Sequence, residues 1–361
     1  MKIINRWLLL AISFGIPNTI QARSLFRPEL PRFFSADNDK IQYVGRIDFT
    51  DRALPRFWAP GVYIRIAFTG AACNIMLNDQ AQGNNHNYIS IQVDDLPVTR
   101  IKLKNKTDTI NITAGMIAKQ HIIVICKSTE ANIGYLEFAG IRCNELLDPP
   151  ALPKRKMEFF GDSITSGTGS DAGNIPCNTG AWYDQHNAYM SYGPLTARAL
   201  DASWHLTAFA GIGLTRSCCN MKVVMPDVYD KVSLAENRIE WDFNLYQPDV
   251  VTICLGQNDG VRDSVTFCKA YVDLIDIFRI HYPKATMICM DSPMADEKLV
   301  KVQKSYISAI SRTLNNAGDK NIYPFFVSRR YHSGCGDHPS LMEHRLIAAE
   351  LTAFIAQIKK W

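Results

Sequence analysis

From residue 37 to about 145, apolar positions fall in short runs or alternate with polar ones, at 62–68, 88–93, 109–112, 121–126 and 135–138. Turn-forming pairs punctuate them at Pro60-Gly61, Asn84-Asn85 and Asp94-Asp95. Runs of this length, broken this way, predict an antiparallel β-sandwich that needs no helix. Asp148-Pro149-Pro150-Ala151-Leu152-Pro153 then stiffens the chain and cannot continue strand pairing. Beyond it the rhythm changes. Apolar runs at 157–160, 204–209, 249–255, 285–290 and 322–327 alternate with helical periodicity near 189–200, 265–282, 298–317 and 341–359. That alternation predicts an α/β fold, a doubly wound parallel sheet with helices on both faces. The expected domains are a sandwich over 37–147 and an α/β domain over 154–361.

Composition changes this picture little. The 361 residues suffice for two cores, and a net charge of +4 with 20% charged residues argues against a nucleic-acid partner. The amino terminus adds more. Lys2 and Arg6 precede an apolar stretch from Trp7 to Ile16, followed by Pro17 and polar residues up to Ala22. This suits a signal peptide over residues 1–22, hence a secreted or periplasmic protein with no integral membrane insertion after cleavage. Ten cysteines in an exported chain permit disulfides. Cys254 and Cys289 fall inside buried runs and read as small core residues, so Cys177, Cys218, Cys219 and Cys335 are the bridge candidates. The vicinal pair Cys218 and Cys219 is expected to bond elsewhere rather than together.

Chemistry concentrates where strand runs end. Gly161-Asp162-Ser163-Ile164-Thr165-Ser166-Gly167 follows the run at 157–160, which puts the Ser163 hydroxyl at a strand's carboxyl end beside the amides that open the next helix. Position 165 is threonine, so this is not a Gly-x-Ser-x-Gly elbow. Three later segments have the same placement: Ala210-Gly211-Ile212-Gly213, Gly256-Gln257-Asn258-Asp259 and Gly336-Asp337-His338-Pro339-Ser340. In open parallel sheets ligands bind at that edge. His332, His338 and His344 recur every six residues, which does not align three ligands on one helical face, so no metal is expected.

These four blocks, in this order, resemble those of the GDSL/SGNH hydrolases. The likeness narrows to the second family of carbohydrate esterases through Val44-Gly45-Arg46, Trp58-Ala59-Pro60-Gly61, Asp184-Gln185-His186-Asn187 and Ser191-Tyr192-Gly193-Pro194. The resemblance implies a jelly-roll sandwich before an SGNH domain, and removal of acetyl groups from oligo- or polysaccharides such as xylan or glucomannan. It implies no cofactor. Alternatives are a carbohydrate-binding protein with an inactive hydrolase domain, or a lipase or thioesterase acting on other acyl groups.

On this reading Ser163 attacks an ester carbonyl after His338 takes its proton. The oxyanion is held by the backbone N–H groups of Ser163 and Gly211 and by the Asn258 amide, with Gly213 as a substitute for Gly211. Many SGNH enzymes carry an aspartate three residues before the histidine. That position here is Cys335, so either Asp337 folds back to orient the imidazole or a backbone carbonyl does. Asp162 and Asp259 are expected to support rather than react. The irregular stretch 164–187 should wall the cleft, with Trp182 as a sugar platform and Tyr183 or Asp184 bonding hydroxyls, while Trp58 reads as core.

Overall fold

Alternation of inward apolar and outward polar side chains closes two antiparallel sheets on each other in the first half of the chain. The computed structural model describes residues 31–113 and 120–361, so the expected signal peptide at 1–22 lies outside the described residues. One sheet takes Arg32–Ser35, Gly134–Cys143, Cys73–Ala81 and Thr107–Ile112 in that spatial order, with Arg56–Phe57 beside Gly134–Cys143. The other takes Glu145–Leu147, Tyr63–Thr69, Gln120–Lys127, Tyr88–Val93 and Thr99–Lys102, with Ile41–Val44 beside Tyr63–Thr69. Ile64, Ile66, Phe68, Ile89, Ile91, Ile123 and Ile125 of the second sheet meet Ile75, Leu77, Leu136, Phe138 and Ile141 of the first. Strand Cys73–Ala81 escapes the reading by hydrophobic pattern because one inward position is Asp79. That carboxylate is buried on bonds from the Asn87 backbone and side chain, at 2.9 and 2.7 Å.

The second half is a parallel sheet of β1 (Arg155–Gly161), β2 (Ala202–Ala208), β3 (Val250–Cys254), β4 (Thr286–Met290) and β5 (Ile322–Phe325). Its spatial order is β2-β1-β3-β4-β5. Both faces of β1 from Met157 onward and of β3 are buried, as a parallel sheet covered on both sides requires. Met157 and Phe159 look toward α2 (Tyr192–Ala199) and α5 (Leu341–Lys359), while Phe160, Val251 and Ile253 look toward α3 (Ser264–His281) and α4 (Glu297–Asn316). Side chains that cap orphan amides fix where the helices begin: Asp263 accepts from the Thr266 N–H at 2.9 Å and Asp296 from the Leu299 N–H at 2.8 Å. Ser340 and Glu343 form a capping box at the start of α5.

The outer face of the second sandwich sheet packs onto the α/β layer. Tyr63 stacks on Trp204 at 4.1 Å between centroids, and the Trp204 indole N–H donates to the Gly61 carbonyl at 3.1 Å. Deeper in, Arg46 of the sandwich pairs with Glu158 of β1 at 2.9 Å, both side chains fully buried. Residues Pro31–Trp361 form one compact unit.

Candidate active site

Ser163 sits where β1 stops. Gly161 pairs with Ala208 of β2 on one side and Cys254 of β3 on the other, so the three strands release their loops at one level. A side chain at Gly161 would drive its Cβ to 2.0 Å from Thr165 Oγ1, hence the glycine. Asp162 caps the short turn α1 (Ser163–Ser166) by accepting from the Ile164 N–H at 3.0 Å. Ser163 thereby opens the turn and is 8% exposed.

The imidazole of His338 reaches it across the sheet edge, with Nε2 2.8 Å from Ser163 Oγ. Its Nδ1 faces the carbonyls of Gly336 at 3.0 Å and Cys335 at 3.3 Å. Carbonyls only accept, so Nδ1 carries the proton and the Nε2 lone pair faces the hydroxyl. Of the two orienting groups left open by the sequence, the backbone carbonyls hold the place, and the expectation for Asp337 is corrected. Asp337 adopts φ 58° within the 3₁₀ turn Cys335–Asp337, its side chain is exposed, and it makes no hydrogen bond to the imidazole among the described residues. The turn is pinned so that its carbonyls point inward. Cys335 is bonded to Cys177, its N–H donates to the Gly169 carbonyl at 2.8 Å, and the Gly334 N–H donates to the His338 carbonyl at 2.7 Å.

Burial lowers the His338 pKa below the ordinary 6.5, against the raising effect of the two carbonyls and Asp337. The base works neutral, so kcat/KM should hold a plateau at neutral pH and fall as acid protonates Nε2, with an apparent pKa below 6.5. A pH–rate profile on an aryl acetate measures this, and an acid limb centred above 7 would contradict it.

Gly211 adopts φ 84°, and a Cβ there would lie 2.7 Å from Cys218 Sγ. The sulfur is held in place because Cys218 and Cys219 are bonded to each other, contrary to the expectation from sequence. The physical reason is a tight turn. Cys219 and Asn220 both take left-handed backbone, at φ 58° and 61°, while the Cys218 N–H donates to the Gly211 carbonyl at 2.8 Å and folds the two thiols together. Neither the Ser163 nor the Gly211 N–H has a protein acceptor among the described residues. Gly213, the substitute, donates instead to the Ser217 hydroxyl at 3.0 Å.

Asn258 is also corrected as a free donor. Its amide gives one hydrogen to the Ile212 carbonyl at 2.9 Å and the other to Asp162 at 3.2 Å, because it lies between the two loops it ties. Burial, with Glu130 and Asp259 nearby, pushes the Asp162 carboxyl up to about 7. Asp259 supports the neighbouring loop, accepting from the N–H groups of Leu214, Thr215 and Arg216 at 2.6 to 3.1 Å.

Trp182 is 53% exposed on the connection from α1 to α2, edge-on to His186 at 4.7 Å. Asp184, expected to bond sugar, is buried and engaged elsewhere. Its Oδ1 accepts from Tyr88 at 2.9 Å and meets His86 Nε2 at 2.8 Å, and its Oδ2 accepts from the Ala181 N–H at 2.8 Å. Partners on both carboxylate oxygens explain its burial: through His86 and Tyr88, Asp184 fastens the loop to the sandwich. Of the other histidines, His344 is buried and accepts from the Tyr192 N–H at 3.2 Å, while His332 is exposed. Trp58 is 1% exposed.

The pattern of the sequence passes over His186 and Glu130. His186 is fully buried, and burial together with the neighbouring His338 holds it well below the usual histidine range, hence neutral. Glu130, also fully buried, accepts from Thr168 Oγ1 and from the Ala210 N–H. Lys127-Ser128-Thr129-Glu130 reads in sequence as a polar turn after a strand, and no local signal marks it as interior.

Two family models match the chain: the carbohydrate esterase 2 N-terminal region over residues 43–150, and the GDSL-like lipase/acylhydrolase family over residues 159–342. The chain is 32% identical over 340 residues to the cellulase/esterase CelE of Acetivibrio thermocellus, covering 90% of this chain but 40% of that protein. It therefore spans less than half of that relative. An acetylxylan esterase / glucomannan deacetylase of Cellvibrio japonicus is 29% identical over 375 residues, with both chains fully covered. Among solved structures, a family two carbohydrate esterase from Clostridium thermocellum in complex with cellohexaose superposes with a TM-score of 0.82 at 32% identity, covering 89% of this chain and 99% of that one.

Proposed function

Because the chain belongs to the family 2 carbohydrate esterases, we propose that it removes O-acetyl groups from acetylated glycans through an acetyl-Ser163 intermediate. The observation that carries this reading is the 2.8 Å contact between His338 Nε2 and Ser163 Oγ at the carboxyl edge of the sheet. Nε2 takes the hydroxyl proton as Oγ bonds to the ester carbonyl carbon. The resulting oxyanion lies against the Ser163 and Gly211 N–H groups, and Asn258 contributes a third hydrogen only on releasing Asp162. Collapse breaks the bond to the sugar oxygen, which leaves with the proton from the imidazolium. Water, deprotonated by the same Nε2, then attacks the acetyl carbon and frees acetate and Ser163.

Xylan and glucomannan are the glycans we assign, on the names of the Cellvibrio japonicus relative. The apolar segment after Lys2 and Arg6, together with a Cys177–Cys335 disulfide, supports an exported protein. Acetate release from a panel of acetylated polysaccharides, with chain-length preference on synthetic esters, tests the reading. Acetyl should far exceed longer acyl groups. A folded protein inert on every acetylated sugar and on aryl acetates would overturn it, and retained glycan affinity without turnover would point to a binding protein.

The exposed indole of Trp182, edge-on to His186, offers an apolar face to a pyranose ring. Trp182→Ala is therefore expected to raise KM for acetylated polysaccharide by roughly tenfold, about the worth of one aromatic contact, while KM for a small aryl acetate changes little. Equal effects on both substrates would mean that Trp182 only packs its loop.

A further inference from the structure

Glu130 is a carboxylate from the first half of the chain that bonds to both loops of the reacting centre. It follows strand Gln120–Lys127, precedes the 3₁₀ turn Ala131–Ile133, and is 0% exposed. One of its oxygens accepts from Thr168 Oγ1, and the Thr168 N–H in turn donates to the Ser163 carbonyl at 3.0 Å. The other accepts from the Ala210 N–H at 3.2 Å, one residue before Gly211. The segment that carries it is itself locked. Lys127 Nζ donates to the carbonyls of Thr129 at 2.8 Å and Glu130 at 2.9 Å, and the Ser128 carbonyl accepts from the Ala188 N–H at 3.2 Å.

We propose that Glu130 is a positioning residue that sets the geometry of the oxyanion-binding amides of Ser163 and Gly211 from the sandwich side. Oxyanion donors stabilise a transition state only when they are fixed before the charge develops. Gly211, without a Cβ and at positive φ, has little intrinsic stiffness, so its N–H direction must be held from outside. The Ala210 bond to Glu130 does this on one side, and the Thr168 bond does it for the turn that begins with Ser163. Burial makes both bonds strong, since no water competes for the carboxylate. It also pushes the Glu130 carboxyl up to about 7, a cost that two hydrogen-bonded loops offset. The sandwich thus supplies part of the catalytic geometry as well as a packing surface.

This inference rests on the esterase reading of Ser163, and one set of variants separates the two. Wild type, Ser163→Ala, Glu130→Leu, Glu130→Gln and Thr168→Val are assayed on an aryl acetate, with thermal melting of each. Activity in the wild type that vanishes in Ser163→Ala upholds the esterase reading, whereas an inert wild type overturns that reading and the role of Glu130 with it. Given activity, Glu130→Leu, which keeps bulk and loses both acceptors, should lower kcat about a hundredfold with KM within about twofold, the size expected for a misplaced oxyanion donor. Glu130→Gln, whose carbonyl still accepts from Ala210 and whose amide donates to Thr168 Oγ1, should recover kcat to within about tenfold of wild type. A folded Glu130→Leu with kcat within about threefold of wild type, or a loss confined to KM, overturns the proposal. If Glu130→Leu does not fold, Thr168→Val decides: a kcat loss of about tenfold at unchanged KM supports the role, and wild-type kcat overturns it.

Discussion

Replacing Ser163 by alanine is expected to lower kcat on an aryl acetate by about 10⁴- to 10⁶-fold, the scale at which a serine nucleophile is lost. The geometry explains why the loss should fall on the chemical step. The only hydrogen bond of Ser163 Oγ among the described residues is that to His338. Removing one such bond costs about 1 kcal/mol of stability, so the variant should melt close to wild type. Its affinity for an acetylated oligosaccharide should also persist, because Trp182 and the loop walls are untouched. His338→Ala should lose activity on a similar scale, and the double variant little more, since the two side chains act as one unit. Steady-state kinetics with acetate detection checks this, and a Ser163→Ala enzyme within tenfold of wild type would sink the mechanism.

The second large effect concerns stability. Arg46 and Glu158 are fully buried and 2.9 Å apart, with Arg46 also donating to the carbonyls of Tyr229 at 2.5 Å and Lys231 at 2.9 Å. Glu158 accepts from Thr207 at 2.7 Å and from Tyr282 at 2.5 Å. Removing either partner strands a charge or a set of donors in a medium that cannot solvate them, at a cost of about 3 to 5 kcal/mol. Arg46→Met and Glu158→Leu should each show a loss of this size in guanidinium unfolding. The double variant should recover much of it, because both desolvated charges are then gone. Single variants as stable as wild type would mean that the pair does not bridge the two layers.

Much of this molecule is legible in its sequence where periodicity and punctuation agree. The five parallel strands follow from apolar runs that end in glycine and small polar residues, and α5 begins at the Ser340–Glu343 capping box. Ser163 is recognisable because it lies just past such a strand, and His338 because the loop after β5 carries it in the block Gly336-Asp337-His338-Pro339-Ser340. What the sequence hides depends on burial between distant segments. Asp79, Glu158 and Asp184 look like surface residues or candidate ligands, yet each is interior because its partners arrive from elsewhere in the chain. The same holds for Glu130. Backbone conformation is the other blind spot: left-handed residues at Cys219 and Asn220 bring the vicinal thiols together, and left-handed Asp337 turns its carboxylate outward. Asn258 appears free in one dimension, whereas in three it already bridges Asp162 and Ile212.

The claim on which all else depends is that the Ser163 oxygen becomes bonded to the acyl carbon. Reaction with a fluorophosphonate, which captures an activated serine hydroxyl, followed by peptide mass mapping, addresses it directly. One equivalent of adduct on the peptide bearing Ser163, with acetate release falling in proportion and no adduct in His338→Ala, is the predicted result. Full acetate release from an enzyme unlabelled at Ser163, or an adduct at another residue that accounts for the loss of activity, would contradict it.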